Sequence, residues 1–132
     1  MTTTAKGTFQ LKAFDEDTIE EYGAGGKLTR ARIVQTYTGD LEGEAASALT
    51  MLYRPDGTAT YVGYQRFTGT VAGRSGSYLE EVSGGYDNTE ARSTSRVIAG
   101  LGTGDLADLR GEGTSAAPHG STGTYTLDYD LG

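Results

Sequence analysis

No cysteine occurs in the 132 residues, so disulfides and thiolate nucleophiles are excluded and a reducing compartment is allowed. Histidine occurs once, at His119, which makes a Ser-His-Asp triad or a histidine-ligated zinc site improbable. No apolar run approaches the roughly 20 residues that span a bilayer. Met1 to Gln10 lacks the basic and apolar regions of a secretory signal. Basic residues number only eleven, they are scattered, and the formal net charge is −7. Phosphate backbones and anionic membranes both need clustered Lys and Arg, so neither nucleic acid nor membrane is an expected partner. These exclusions describe a single cytoplasmic domain over residues 1–132, large enough for one continuous core.

What is present alternates. Ala5 to Ala13 places Gly7, Phe9, Leu11 and Ala13 on one face and polar residues on the other, the period of a half-buried strand. An acidic stretch follows, Asp15, Glu16, Asp17, Glu20 and Glu21, ending in Gly23-Ala24-Gly25-Gly26. It reads as a solvated loop or as a lid over one barrel mouth, hinged on its glycines. Leu28 to Thr38 is a second strand, and Leu41 to Tyr53 a third with Leu41, Ala45, Ser47, Leu49, Met51 and Tyr53 aligned. Pro55-Asp56-Gly57 has the residues of a tight turn, and Thr58 to Thr70 continues as a fourth strand. There Tyr61, Gln65 and Phe67 oppose Val62, Tyr64 and Arg66, so parity alone does not choose the inner face. Gly73-Arg74-Ser75-Gly76 turns into Ser77 to Gly85, and Thr89 to Ile98 is a sixth strand.

Leu106 and Leu109, spaced i,i+3 between Thr103 or Asp105 as a cap and Gly111 as a stop, predict one short helical turn near 103–110 that plugs a barrel end. Glu112 to Ala116 is a short strand, Pro118-His119-Gly120 turns, and Ser121 to Leu131 is the last strand. Successive long antiparallel strands curl and close, which removes exposed edges. The expected fold is an all-β, eight-stranded, antiparallel up-and-down (calycin-like) β-barrel. Eight strands leave an interior that side chains just fill or that holds one small ligand.

Gly102-Thr103-Gly104-Asp105-Leu106-Ala107 matches the dinucleotide-binding pattern, but no βαβ unit surrounds it and Asp105 would meet the pyrophosphate. The nine tyrosines say more. Most fall within strands, where they are either ordinary wall residues or the aromatic lining of a small-ligand cavity.

Several segments together resemble one family: Lys27-Leu28-Thr29-Arg30, Gly39-Asp40-Leu41-Glu42-Gly43, Tyr53-Arg54-Pro55-Asp56-Gly57, Gln65-Arg66-Phe67-Thr68-Gly69, Gly73 to Tyr78, Gly102 to Gly111 and Tyr125 to Tyr129. The chain is similar, nearly end to end, to allene-oxide-cyclase-like barrels, and nearest a bacterial family of that fold with unassigned function. The resemblance implies a mostly apolar cavity, frequent homo-oligomers (dimer or trimer), and cyclisation of a reactive polyene or epoxide without a cofactor; the lack of cysteine and the single histidine give no support for a metal. Two positions depart from it: Gln65 stands where the family tends to carry Glu, and Glu81-Val82 where it carries Gln-His.

The activity this suggests is a cofactor-independent cyclase or isomerase of a polyene or polyketide-type substrate. The alternative is a non-catalytic carrier of a small apolar ligand or a structural oligomer subunit. Glu81 is assigned the proton and Gln65 a hydrogen bond, with Tyr37, Met51, Tyr53, Tyr61 and Phe67 as the substrate-binding wall. Glu81 holds that role if its strand turns Ser77, Leu79 and Glu81 inward; the opposite register offers Glu80 instead.

Overall fold

The computed structural model describes residues 2–118 and 122–131. Among the described residues nine strands run β1 (Thr3–Gly23), β2 (Gly26–Gly39), β3 (Leu41–Tyr53), β4 (Ala59–Val71), β5 (Arg74–Tyr86), β6 (Glu90–Val97), β7 (Thr103–Gly104), β8 (Arg110–Pro118) and β9 (Thr122–Asp130). All pairings are antiparallel, and β4–β5 closes the sheet into a tube of eight long strands. The two-residue β7 is an addition on β5. Following paired residues round the wall from Gly7 through Tyr125, Ser115, Ser93, Gly84, Tyr61, Met51 and Thr29 returns to β1 at Thr18. That stagger is the shear a closed barrel requires.

The stagger also explains the length of β1, and it corrects one expectation. Residues 15–23 are neither loop nor lid. They continue β1 as a hairpin with β2 around Ala24 and Gly25, both at positive φ. Asp15 faces Arg32, Asp17 faces Arg30 and Glu21 faces Lys27, so opposite charges stand across from one another along a strand that composition alone marks as loop. Irregular register at Leu11/Ala13 bends the strand there. Beyond Gln10, β1 has no described partner on its β9 side.

Two further details differ from expectation. The β4–β5 turn is Ala72-Gly73, with φ of 50° and 85°, and Arg74 already lies in β5. Residues 103–109 form successive i→i+3 turns, Thr103 to Leu106, Gly104 to Ala107 and Leu106 to Leu109, and no helix. Their role is as anticipated: Leu106 and Leu109 are buried in the core at that end of the barrel. Of the expected Pro118-His119-Gly120 turn, Pro118 ends β8, while His119, Gly120 and the proposed strand start at Ser121 lie outside the described residues.

The core divides along the axis. Phe9, Tyr37, Phe67, Val71, Tyr78, Leu106 and Tyr125 fill one end with rings in contact, Phe67–Tyr78 at 5.4 Å and Tyr37–Tyr125 at 4.9 Å between centroids. A smaller group, Ala31, Leu49, Met51 and Tyr61, lies toward the β1–β2 hairpin. Tyr125 pins the corner above the filled end. Its hydroxyl accepts from Leu41 N at 2.8 Å and donates to Thr38 O at 2.9 Å, lying over Gly7, where a Cβ would fall 2.5 Å from the phenolic oxygen.

Candidate functional site

A cavity of about 300 Å³ occupies the unfilled part of the barrel. Its wall is largely apolar, with Phe9, Leu49, Met51, Val82 and several tyrosines. Among the expected wall residues, Tyr37, Met51, Tyr53 and Tyr61 line it. Phe67 does not. Fully buried beneath the floor, it packs edge-on to Tyr37 at 5.8 Å.

The polar residues of the cavity come from strand parity. In β3 the alternation Ala45, Ser47, Leu49 points inward, and in β4 the residues paired with them, Phe67, Gln65 and Gly63, share that face. Gln65 is paired in turn with Glu80 of β5. Cross-strand partners project to the same side, so Glu80 enters the cavity and Glu81 does not. Glu80 is 5% exposed, whereas Glu81 lies on the outer surface, opposite Tyr64. The cavity role considered for Glu81 is therefore corrected: the opposite register holds, and it is Glu80 that faces the interior.

These groups form a hydrogen-bonded row across adjacent strands. Ser47 Oγ donates to Gln65 Oε1 at 2.8 Å, and Gln65 Nε2 donates to Glu80 Oε1 at 2.8 Å. Ser95 of β6 is a further partner of Glu80. Burial pushes the Glu80 carboxyl above the ordinary glutamate value, against the opposing pull of the bonds from Ser95 and Gln65. Desolvation wins because two neutral donors do not replace the hydration of a carboxylate. The Tyr37 and Tyr78 phenols are held neutral, first by burial and then by the nearby Glu80 charge.

At the mouth, Tyr61 Oη and Ser93 Oγ are 2.5 Å apart. Tyr53 Oη donates to Glu16 Oε2 at 2.6 Å, and Thr29 Oγ1 donates to the same oxygen at 2.5 Å. The β1 overhang is thereby tied to the rim, and its Phe14 extends the cavity wall. Burial, followed by the bond to Glu16, raises the Tyr53 phenol.

Sequence reasoning did not assign Ser47, Ser95 or Tyr78 to the site. The signal for Tyr78 was available, since a two-residue β4–β5 turn pairs it with Phe67. Ser47 and Ser95 carry no signal until the strands are in register. Among the described residues no group of three His, Cys, Asp or Glu side chains is placed to hold a metal ion.

The model of a family described as "Protein of unknown function (DUF3224)" matches residues 5–129. A crystal structure of a protein with unknown function from the DUF3224 family of Shewanella oneidensis MR-1 superposes with a TM-score of 0.76. That likeness covers 98% of each chain at 22% identity, and it concerns the fold. A search of curated proteins found no match. With nearly its whole length inside the family model, this chain belongs to the DUF3224 family.

Proposed function

We propose that this DUF3224 barrel binds one small, mostly apolar molecule inside the tube and isomerises it without a cofactor, in the manner its likeness to allene-oxide-cyclase-like barrels suggests. One observation carries the reading: among the described residues Glu80 is the one buried carboxyl group facing the apolar cavity, where burial favours its protonated form. Glu80 serves as general acid toward a carbonyl or epoxide oxygen while a double bond of the folded substrate closes on the adjacent carbon. A proton lost from the resulting cation returns to the Glu80 carboxylate, so product and substrate have the same composition. Confinement contributes as well, because the wall holds a flexible chain near its reactive shape. Tyr37, Met51, Tyr53 and Tyr61 supply that wall, and Gln65 orients Glu80.

Gln65 favours a second reading. With an amide where the resemblance places a carboxylate, Glu80 is the sole acid among the described residues that line the cavity, and they form no acid–base pair. On this reading the barrel is a carrier. The reducing cytoplasm is the proposed setting of either activity, on the strength of the cysteine-free sequence. Polyene ketones and epoxides incubated with the protein and analysed by liquid chromatography–mass spectrometry separate the two. An isomer of unchanged mass, lost in Glu80→Gln while binding persists, supports catalysis; binding without conversion in either protein supports the carrier.

A further inference from the structure

We infer that the head group received inside the barrel is an uncharged, hydrogen-bond-accepting oxygen: the cavity takes a lipophilic ketone, aldehyde or epoxide and refuses the matching carboxylic acid. This deepens the ligand-binding reading above and rests on it. Among the described residues, those lining the cavity include no lysine or arginine. A ligand carboxylate drawn inside would lose its hydration with no cation to meet it. It would also share the space with Glu80, and two carboxyl groups in one apolar site do not both ionise.

The donor and acceptor inventory points the same way. The Gln65 carbonyl oxygen is taken by Ser47 Oγ, and Glu80 Oε1 is taken by Gln65 Nε2. Ser95 is the other partner of Glu80, and the hydroxyl of the protonated acid, shared with Ser95, can turn to a ligand oxygen, so the floor offers a donor. A ketone or epoxide oxygen accepts it. An ammonium group would instead require an ionised Glu80 between Tyr37, Tyr78 and aliphatic side chains, with the hydration of both charges given up.

The rim reinforces the selection. The overhanging hairpin sets Asp15, Glu16, Asp17, Glu20 and Glu21 against Lys27, Arg30 and Arg32, leaving carboxylates in excess, and Glu16 is bonded directly to the wall residue Tyr53. Such a mouth lowers the local concentration of anions. Lys27 has its ammonium 5.2 Å from the Tyr53 ring centroid, but it stands opposite Glu21 in the hairpin register and lies outside the lining.

Isothermal titration of the whole chain with 2-decanone, decanoate and decylammonium at about pH 8, where both ionisable probes are charged, tests this. The ketone is expected to bind, with each ion about tenfold or more weaker. Decanoate binding as tightly as the ketone, and losing affinity in Lys27→Gln, would overturn the inference by placing the head group at the rim. Decylammonium binding tightest, and losing affinity in Glu80→Gln, would overturn it in favour of an ion pair. If none of the three binds, the ligand-binding reading itself fails and the inference goes with it.

Discussion

Gln65 faces Glu80 directly across β4 and β5 and donates its amide hydrogen to the carboxyl at 2.8 Å, with both side chains less than a tenth exposed. Each residue of the row depends on the next, because no buried side-chain nitrogen or oxygen among the described residues is left without a partner. Replacing Gln65 by Leu removes the acceptor of Ser47 and a donor to Glu80. The expected result is a loss of about 1–3 kcal/mol in urea denaturation, the cost of unmade buried hydrogen bonds. The Glu80 carboxyl moves further up, since the lost bond favoured its ionised form. A variant as stable as the parent would show that the row contributes nothing.

The raised Glu80 carboxyl has a consequence for stability whose sign is fixed. Above the ordinary value of 4.5 the unfolded chain has released this proton while the folded chain still holds it. Where the folded state binds more protons, stability falls as pH rises, and the fall ends once pH exceeds the folded value. Asp56 and Asp87, lowered by hydrogen bonds within their turns, act in the opposite sense and lose stabilisation toward acid. They are unchanged in Glu80→Gln and cancel in the comparison with the parent. Denaturation at acid and at mildly alkaline pH is expected to show Glu80→Gln gaining on the parent as pH rises.

Gly7 and Tyr125 form the other close relationship. A Cβ at residue 7 would come within 2.1 Å of Thr38 O and 2.5 Å of Tyr125 Oη. Gly7→Ala therefore displaces either the strand or the ring. Tyr125→Phe leaves the buried Leu41 N–H without its acceptor, which is expected to cost about 1–3 kcal/mol. Because the two substitutions disturb one contact, the double variant is expected to cost less than the sum of the singles, as a double-mutant cycle will register.

Ala72 occupies a left-handed conformation, φ 50°, in the two-residue β4–β5 turn. Asn-Gly suits such a turn better than Ala-Gly, so Ala72→Asn is expected to add about 0.5–1 kcal/mol. An increase in the urea midpoint at unchanged m-value is the result that supports it.

These residues also show what was legible in the chain. The barrel could be read from long alternating strands and their turns, and the inward face of β3 from Leu41, Ala45, Ser47, Leu49 and Met51. The orientation of β5 could not, for two physical reasons. Both faces of β4 carry large apolar groups, Tyr61 and Phe67 inside, Val62 and Tyr64 outside. Gly73, Arg74, Ser75 and Gly76 all suit a turn, and the number of residues in that turn decides which of two adjacent glutamates points inward. The β1 overhang was hidden because its support is non-local: Asp15 and Asp17 become strand residues opposite Arg32 and Arg30.

The account turns on a carboxyl group at the floor of the cavity whose protonated form burial favours. A ¹³C NMR titration of the Glu80 side-chain carboxyl in the whole protein, assigned by its loss in Glu80→Gln, measures that directly. The expected midpoint lies above the ordinary 4.5, because burial opposes ionisation. A midpoint at or below 4.5 would show that burial does not hold the proton on Glu80, contradicting both the general-acid role and the preference for an uncharged ligand oxygen.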